Sequence, residues 1–171
     1  MTTDQINTNE YHPYYQLYID KAKSMDLVNG LKASGEEMAR FLKAIPEDKH
    51  EYQYANGKWT VKELLQHVID TERVFAYRAL CIARNDKTAL PGYDQDVYNS
   101  FSDANSRSYD DIVKEYEAVR MTSQLLFESF TNDKLLQIGN ANGAAISVRA
   151  LGFILIGHEN HHRQIIEERY L

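Results

Sequence analysis

The chain has 171 residues, 43 % of them hydrophobic, which is enough for one domain whose core needs no staple. Its net charge of −6 runs against a nucleic-acid binder, whose footprint would be basic. The single cysteine, Cys81, excludes an internal disulfide and suits a reducing cytoplasm, and no apolar run reaches membrane-spanning length.

Residues 1–10 are polar and lack the apolar stretch of a signal peptide or anchor. A short helical lead-in is expected over 14–22, followed by a first long helix over 25–45. Pro46 and the polar stretch to Lys58 form a connection. Thr60 with Glu63 makes a capping box, so a second helix starts at Thr60 and runs to about 85. Its apolar stripe is Val61, Leu64, Leu65, Val68, Phe75, Ala79 and Ile82. Residues 86–107 contain Pro91-Gly92 and many polar side chains, and read as loop. Ser108 and Asp111 fit a capping pattern for a third helix reaching Phe130. Residues 131–146 read as a Gly/Asn-rich loop with a turn of helix over 133–136. A fourth helix follows over 147–170. Without strand alternation, repeats or low-complexity segments, the chain is expected to be an all-α four-helix bundle, one domain over residues 1–171.

The connection between the second and third helices sets the topology. Each of these helices is roughly 24 residues, about 36 Å long, and residues 86–107 can span that distance as an extended crossover. The middle pair then runs parallel and the fourth helix runs antiparallel to the second. Asp94 and Asp96 could overhang the site from this loop, although such residues more often cap turns.

The chemistry concentrates in His158-Glu159-Asn160-His161-His162. At about 100° per residue, His158 and His162 fall one turn apart inside the stripe of Val148, Leu151, Leu155, Ile165 and Ile166, while His161 points away. Two core-facing imidazoles stacked in this way suit a metal ion better than a pair of buried neutral histidines. His67, at the edge of the second helix's stripe, is the third candidate ligand, a placement that suits a half-exposed surface histidine equally well. It lies about 10 Å from the start of its helix, and His162 lies about 12 Å from the end of its own, so antiparallel helices bring all three to similar heights. Three histidines with open coordination positions form the catalytic rather than the structural pattern.

The string also matches H-E-x-x-H of zinc proteases. Continuing that pattern needs Gly at 165 and His at 168, but the chain has Ile165 and Glu168, and it offers no distant downstream glutamate before Leu171. A ferritin-like di-iron site fails too: Glu159-x-x-His162 is one Glu-x-x-His, but Glu63 and His67 are four apart.

Trp59, the His67 segment Leu-Leu-Gln-His-Val-Ile-Asp-Thr-Glu-Arg, the loop Leu90-Pro91-Gly92-Tyr93-Asp94 and the closing Gly157-His158-Glu159-x-x-His162 together resemble the DinB-like proteins. The resemblance runs from about residue 25 to the end. It implies a four-helix bundle with a crossover between helices two and three, and a metal held by His67, His158 and His162. Family members characterised as enzymes include thiol-dependent S-transferases and a thiol-dependent isomerase. The implied cofactors are a divalent ion, zinc or nickel ahead of iron or manganese, and a low-molecular-weight thiol, although no residue of this chain identifies the thiol.

Glu72 and Glu159 lie near the middle of their helices' apolar stripes, where a carboxylate must be paired, protonated or bound. Each either orients a ligand histidine or acts as general base, or else forms a structural pair with Arg73, Arg78 or another arginine. Most tyrosines are expected to fill the bundle interior and rim, with Tyr93 and Tyr98 lining a pocket under the crossover. Two function classes follow. One is a cytoplasmic metalloenzyme, a hydrolase or thiol transferase acting on a small molecule, with a homodimer admitted and no nucleic-acid or membrane partner. The other is a non-catalytic metal- or ligand-binding bundle whose site is structural or vestigial.

Overall fold

Each long helix starts at a side-chain cap that its sequence supplies. The computed structural model describes residues 1–22 and 26–171. In chain order the helices are α1 (Gln16–Ala22), α2 (Leu27–Lys43), α3 (Val61–Ala83), α4 (Gln95–Ser100), α5 (Tyr109–Glu128), α6 (Asn132–Leu135) and α7 (Val148–Arg169), with strands β1 (Ile138–Ala141) and β2 (Ala144–Ser147) before α7. Asp26 accepts from the Asn29 amide, Ser108 from Asp111 and Ser147 from Ala150, each satisfying an amide that the helix leaves unpaired. The box at Thr60 is reciprocal: the Glu63 amide donates to Thr60 Oγ1 at 3.1 Å, and the Thr60 amide donates back to Glu63 at 2.7 Å. The expected start of the first helix at Met25 lies outside the described residues.

Going round the bundle, the order is α2, α5, α3, α7. Helix α3 runs parallel to α5, because Gln66 meets Arg107 while Arg73 meets Glu115 further along both. Helix α2 runs against α5: Leu42 accepts from Tyr109, and Leu31 accepts from Arg120. At the end of α7, the Tyr170 hydroxyl donates to the Trp59 carbonyl just before α3, so these two are antiparallel. The crossover therefore joins parallel neighbours, as its length allows. No helix among the described residues is long and apolar enough to cross a membrane.

Two segments expected to be loop carry structure. Within the crossover, Asp94 accepts from the Asp96 and Val97 amides and nucleates α4, and Asn99 anchors that helix to the Glu63 carbonyl at 3.1 Å. The Gly/Asn-rich stretch forms a β1–β2 hairpin pairing Ile138 with Ser147 and Ala141 with Ala144. Asn142 and Gly143 both take positive φ, 53° and 76°, as a two-residue I′ turn requires. Leu90 joins the hairpin as a short third rung: its amide donates to Asn140, and the Asn142 amide donates to its carbonyl. The crossover is thereby pinned to the hairpin tip.

The core divides into two apolar halves. One gathers Leu27, Leu31, Phe75, Ala79, Phe127 and the stretch 151–156 of α7. The other gathers Met38, Leu42, Leu65, Ile69, Ile112, Val113 and Ile166. Between them, each long helix contributes buried polar side chains: Ser34, Glu72, Arg120, and the His158, Glu159 and His162 group. The apolar halves hold the bundle together, and the polar layer lies at mid-height.

Candidate metal centre

His67 lies two turns into α3, and His158 and His162 lie one turn apart on α7. The antiparallel pairing brings them to one level. Nε2 of His158 stands 3.1 Å from Nε2 of His67 and 3.1 Å from Nε2 of His162. Ligand nitrogens from all three lie within 4.8 Å of one another. Tetrahedral bonds of about 2.0–2.1 Å to one ion would set neighbouring nitrogens about 3.3 Å apart, close to this spacing. Proton accounting agrees, because a single Nε2 hydrogen on His158 cannot point at both neighbours. As three acceptors facing one cation, the imidazoles have no such conflict.

Burial is the main force on their protonation. It takes His67 down to about 4. It also holds His158 and His162 well below the ordinary histidine range, with neighbouring histidines adding to the effect. All three are therefore neutral at pH 7, the form that ligates. The remaining histidines stay out of the cluster. His161 is half-buried against Tyr18, His50 stacks on Tyr109 at 3.6 Å, and His12 accepts from the Tyr14 amide.

A cavity of about 410 Å³ opens above His67 and His158. One wall is a single face of α3, running His67, Thr71, Phe75, Arg78 at offsets of four, eight and eleven residues. Tyr15 and Tyr18 close it from the N-terminal segment, Tyr93 from the crossover and Asn142 from the hairpin tip. Thr71 ties two walls together, its hydroxyl bonded to Tyr93 and 3.5 Å from Nδ1 of His67.

The two buried carboxylates meet an arginine. Arg120 of α5 donates to both oxygens of Glu72, at 3.0 Å and 3.1 Å from Nε and 2.8 Å from Nη2. The same Nη2 lies 2.8 Å from Glu159, which also accepts from the Tyr116 hydroxyl. Burial raises the Glu159 carboxyl, and Arg120 opposes that rise. Of the pairings expected from sequence, the one with another arginine is formed. Neither carboxylate hydrogen-bonds a ligand imidazole among the described residues.

The loop residues divide. Tyr93 lines the cavity as expected, but Tyr98 packs on the outside of its ring at 5.1 Å and remains half-exposed. Asp94 caps α4, so its oxygen is committed to backbone amides rather than to the site. The cavity also has walls that the sequence reading does not include. Arg78, read there as an ion-pair partner, lies on the same face of α3 as His67. Tyr15 and Tyr18, in the helical lead-in, cover the imidazoles. Asn142-Gly143 is a hairpin signal inside a stretch that reads as loop by its Gly/Asn content.

The chain is similar to YfiT from Bacillus subtilis, described as a probable metal-dependent hydrolase with an unusual four-helix bundle topology. The two share a TM-score of 0.74 and 14 % identity over 83 % of this chain and 82 % of that one. A DinB-like protein, YjoA, also from Bacillus subtilis, matches with a TM-score of 0.59 and 17 % identity over 82 % and 86 %. A mycothiol-dependent maleylpyruvate isomerase matches with a TM-score of 0.64 and 10 % identity over 91 % of this chain and 63 % of that one. No curated protein matches. The DinB superfamily model matches residues 31–166, from within α2 to near the end of α7, and the chain belongs to that superfamily.

Proposed function

We propose that the protein is a metal-dependent enzyme in which His67, His158 and His162 hold one divalent ion facing a small-molecule cavity. The observation that carries this reading is the convergence of three Nε2 atoms, 3.1 Å from one to the next, under an open space of about 410 Å³. Three protein ligands leave positions for water or substrate. A divalent ion held there supplies Lewis acidity toward a water, a thiol or a carbonyl group. The chain's own residues do the rest. The neutral imidazoles leave the ion's charge uncompensated, and the aromatic walls exclude bulk water. The Thr71 hydroxyl and the Tyr93 hydroxyl stand ready to orient a polar group of the substrate. Glu72 and Glu159, clamped by Arg120, hold α3, α5 and α7 in register around the imidazoles, which makes them positioning residues. Hydrolysis or thiol transfer on a small molecule is the reaction class, with zinc or nickel as the first candidates for the ion. The relatives support this reading: YfiT is described as metal-dependent and the isomerase as mycothiol-dependent.

Metal content of protein purified without a chelating column tests the assignment. His67→Ala, His158→Ala and His162→Ala should each lower bound metal sharply, and His161→Ala should leave it unchanged. Full retention in His67→Ala, or equal loss in His161→Ala, would sink it.

A further inference from the structure

Three arginines are buried in this protein, and two of them have carboxylates. Arg120 is held by Glu72 and Glu159, and Arg149 by Glu10. Arg78 is 3 % exposed, yet it has no carboxylate within ion-pair distance among the described residues. Its Nη2 donates to the Pro91 carbonyl at 2.7 Å, and its guanidinium lies 5.1 Å from the centre of the Phe75 ring. A neutral carbonyl and a ring face do not balance a full buried charge. The other group against the guanidinium is the neutral Tyr15 hydroxyl, whose pKa burial raises against the pull of Arg78, and the side chain lines the cavity.

The cavity adds a second, independent observation. Among the described residues no aspartate or glutamate lines it; its polar groups are imidazoles, tyrosine hydroxyls, a threonine, two amides and this guanidinium. Arg78 and His67 share one face of α3, separated by eleven residues, or about 16 Å of helix rise. Both side chains reach the same cavity, Arg78 at one end of this face and His67 at the other.

We propose that Arg78 recognises the carboxylate of an elongated organic acid whose other end reaches His67 and His158. This deepens the metal reading given above and rests on it only for the far end of the ligand. A planar carboxylate suits the open edge of the guanidinium, where two parallel N–H donors meet two oxygens. The aromatic walls formed by Tyr15, Phe75 and Tyr93 cover the apolar middle of such a molecule. The substrate class is therefore an extended carboxylate carrying its reactive group several bonds away.

The full chain tests this in two arms. In the first, chelator-treated protein is titrated calorimetrically with octanoate, 1-octanol and octyl phosphate. Octanoate should bind at least about tenfold tighter than octanol, and Arg78→Met should abolish that preference while leaving octanol binding intact. Equal binding of octanoate and octanol, an undiminished preference in Arg78→Met, or tighter binding of octyl phosphate than of octanoate each overturns the proposal. Should Arg78→Met fail to fold by circular dichroism, Arg78→Lys decides: octanoate should weaken several-fold with octanol unchanged, and unaltered octanoate affinity overturns it. In the second arm, cobalt-loaded protein is titrated with 6-mercaptohexanoate and 6-mercaptohexanol, following the thiolate–cobalt absorption. The acid should saturate at a lower concentration than the alcohol in wild type but not in Arg78→Met; the same saturation for both in wild type overturns the two-ended ligand. Failure of cobalt to bind counts against the metal reading alone, because the first arm needs no metal.

Discussion

The Tyr18 carbonyl occupies the space above Gly157: a β-carbon on that glycine would stand 1.7 Å from the Tyr18 oxygen. This contact lets α1 lie directly on α7, and it places the Tyr18 ring 5.3 Å from His158, where it forms a wall of the cavity. Alanine here would improve helix propensity by about 1 kcal/mol. The clash is with backbone, which no rotamer change relieves, so overpacking wins and costs about 1–3 kcal/mol. Gly157→Ala should lower the melting temperature by several degrees and make residues 16–22 more susceptible to proteolysis. A raised melting temperature would show that α1 is not seated on this glycine.

Metal removal should leave the bundle folded. The two apolar halves are built from aliphatic and aromatic side chains that do not involve the imidazoles. Unlike a zinc finger, the fold does not depend on the ion for its core. After chelation, far-ultraviolet circular dichroism should keep most of its helical signal, with a lowered melting temperature. Collapse to random coil would mean the site is structural.

Arg120 is 2 % exposed and serves both Glu72 and Glu159. Replacing it with methionine would leave two carboxylates buried without a cation, at a cost of about 3–5 kcal/mol. Urea titration of Arg120→Met should show that loss, and adding Glu72→Gln with Glu159→Gln should recover part of it. A loss below about 1 kcal/mol would mean that water reaches this layer and the network contributes little.

The pair Glu10–Arg149 should give the protein a pH-dependent stability. Burial pushes the Glu10 carboxyl up, but hydrogen bonds from Arg149, the Asn7 amide and Ser147 outweigh it and bring the value from 4.5 to about 2. A depressed folded pKa contributes stability that is present above the unfolded value and lost as pH falls through the folded one. The window is therefore pH 4.5 down to 2, and the contribution above it is at most about 3 kcal/mol. Glu10→Gln should lower stability at pH 7 and flatten the acid limb of a melting-temperature profile. An unchanged slope between pH 4.5 and 2 would show that the pair does not hold the N-terminal segment.

Local signals carried much of this protein. Thr60 with Glu63, Ser108 with Asp111, and the spacing of His158 and His162 are relations within one helical turn, so the starts of α3 and α5 and the stacked pair of imidazoles could be read directly. The crossover is long enough to span a helix, which made a parallel middle pair possible, and the packing of α3 on α5 realised it. The tertiary structure decided what depends on meetings between distant segments. It chose Arg120, 48 residues from Glu72 and on another helix, as the partner of both buried carboxylates. It folded Asn142-Gly143 into a hairpin whose tip Leu90 pairs with, and it placed Tyr15 and Tyr18 over the imidazoles. It also left Arg78 facing the cavity with no carboxylate among the described residues, because charge balance is settled only when separate helices pack.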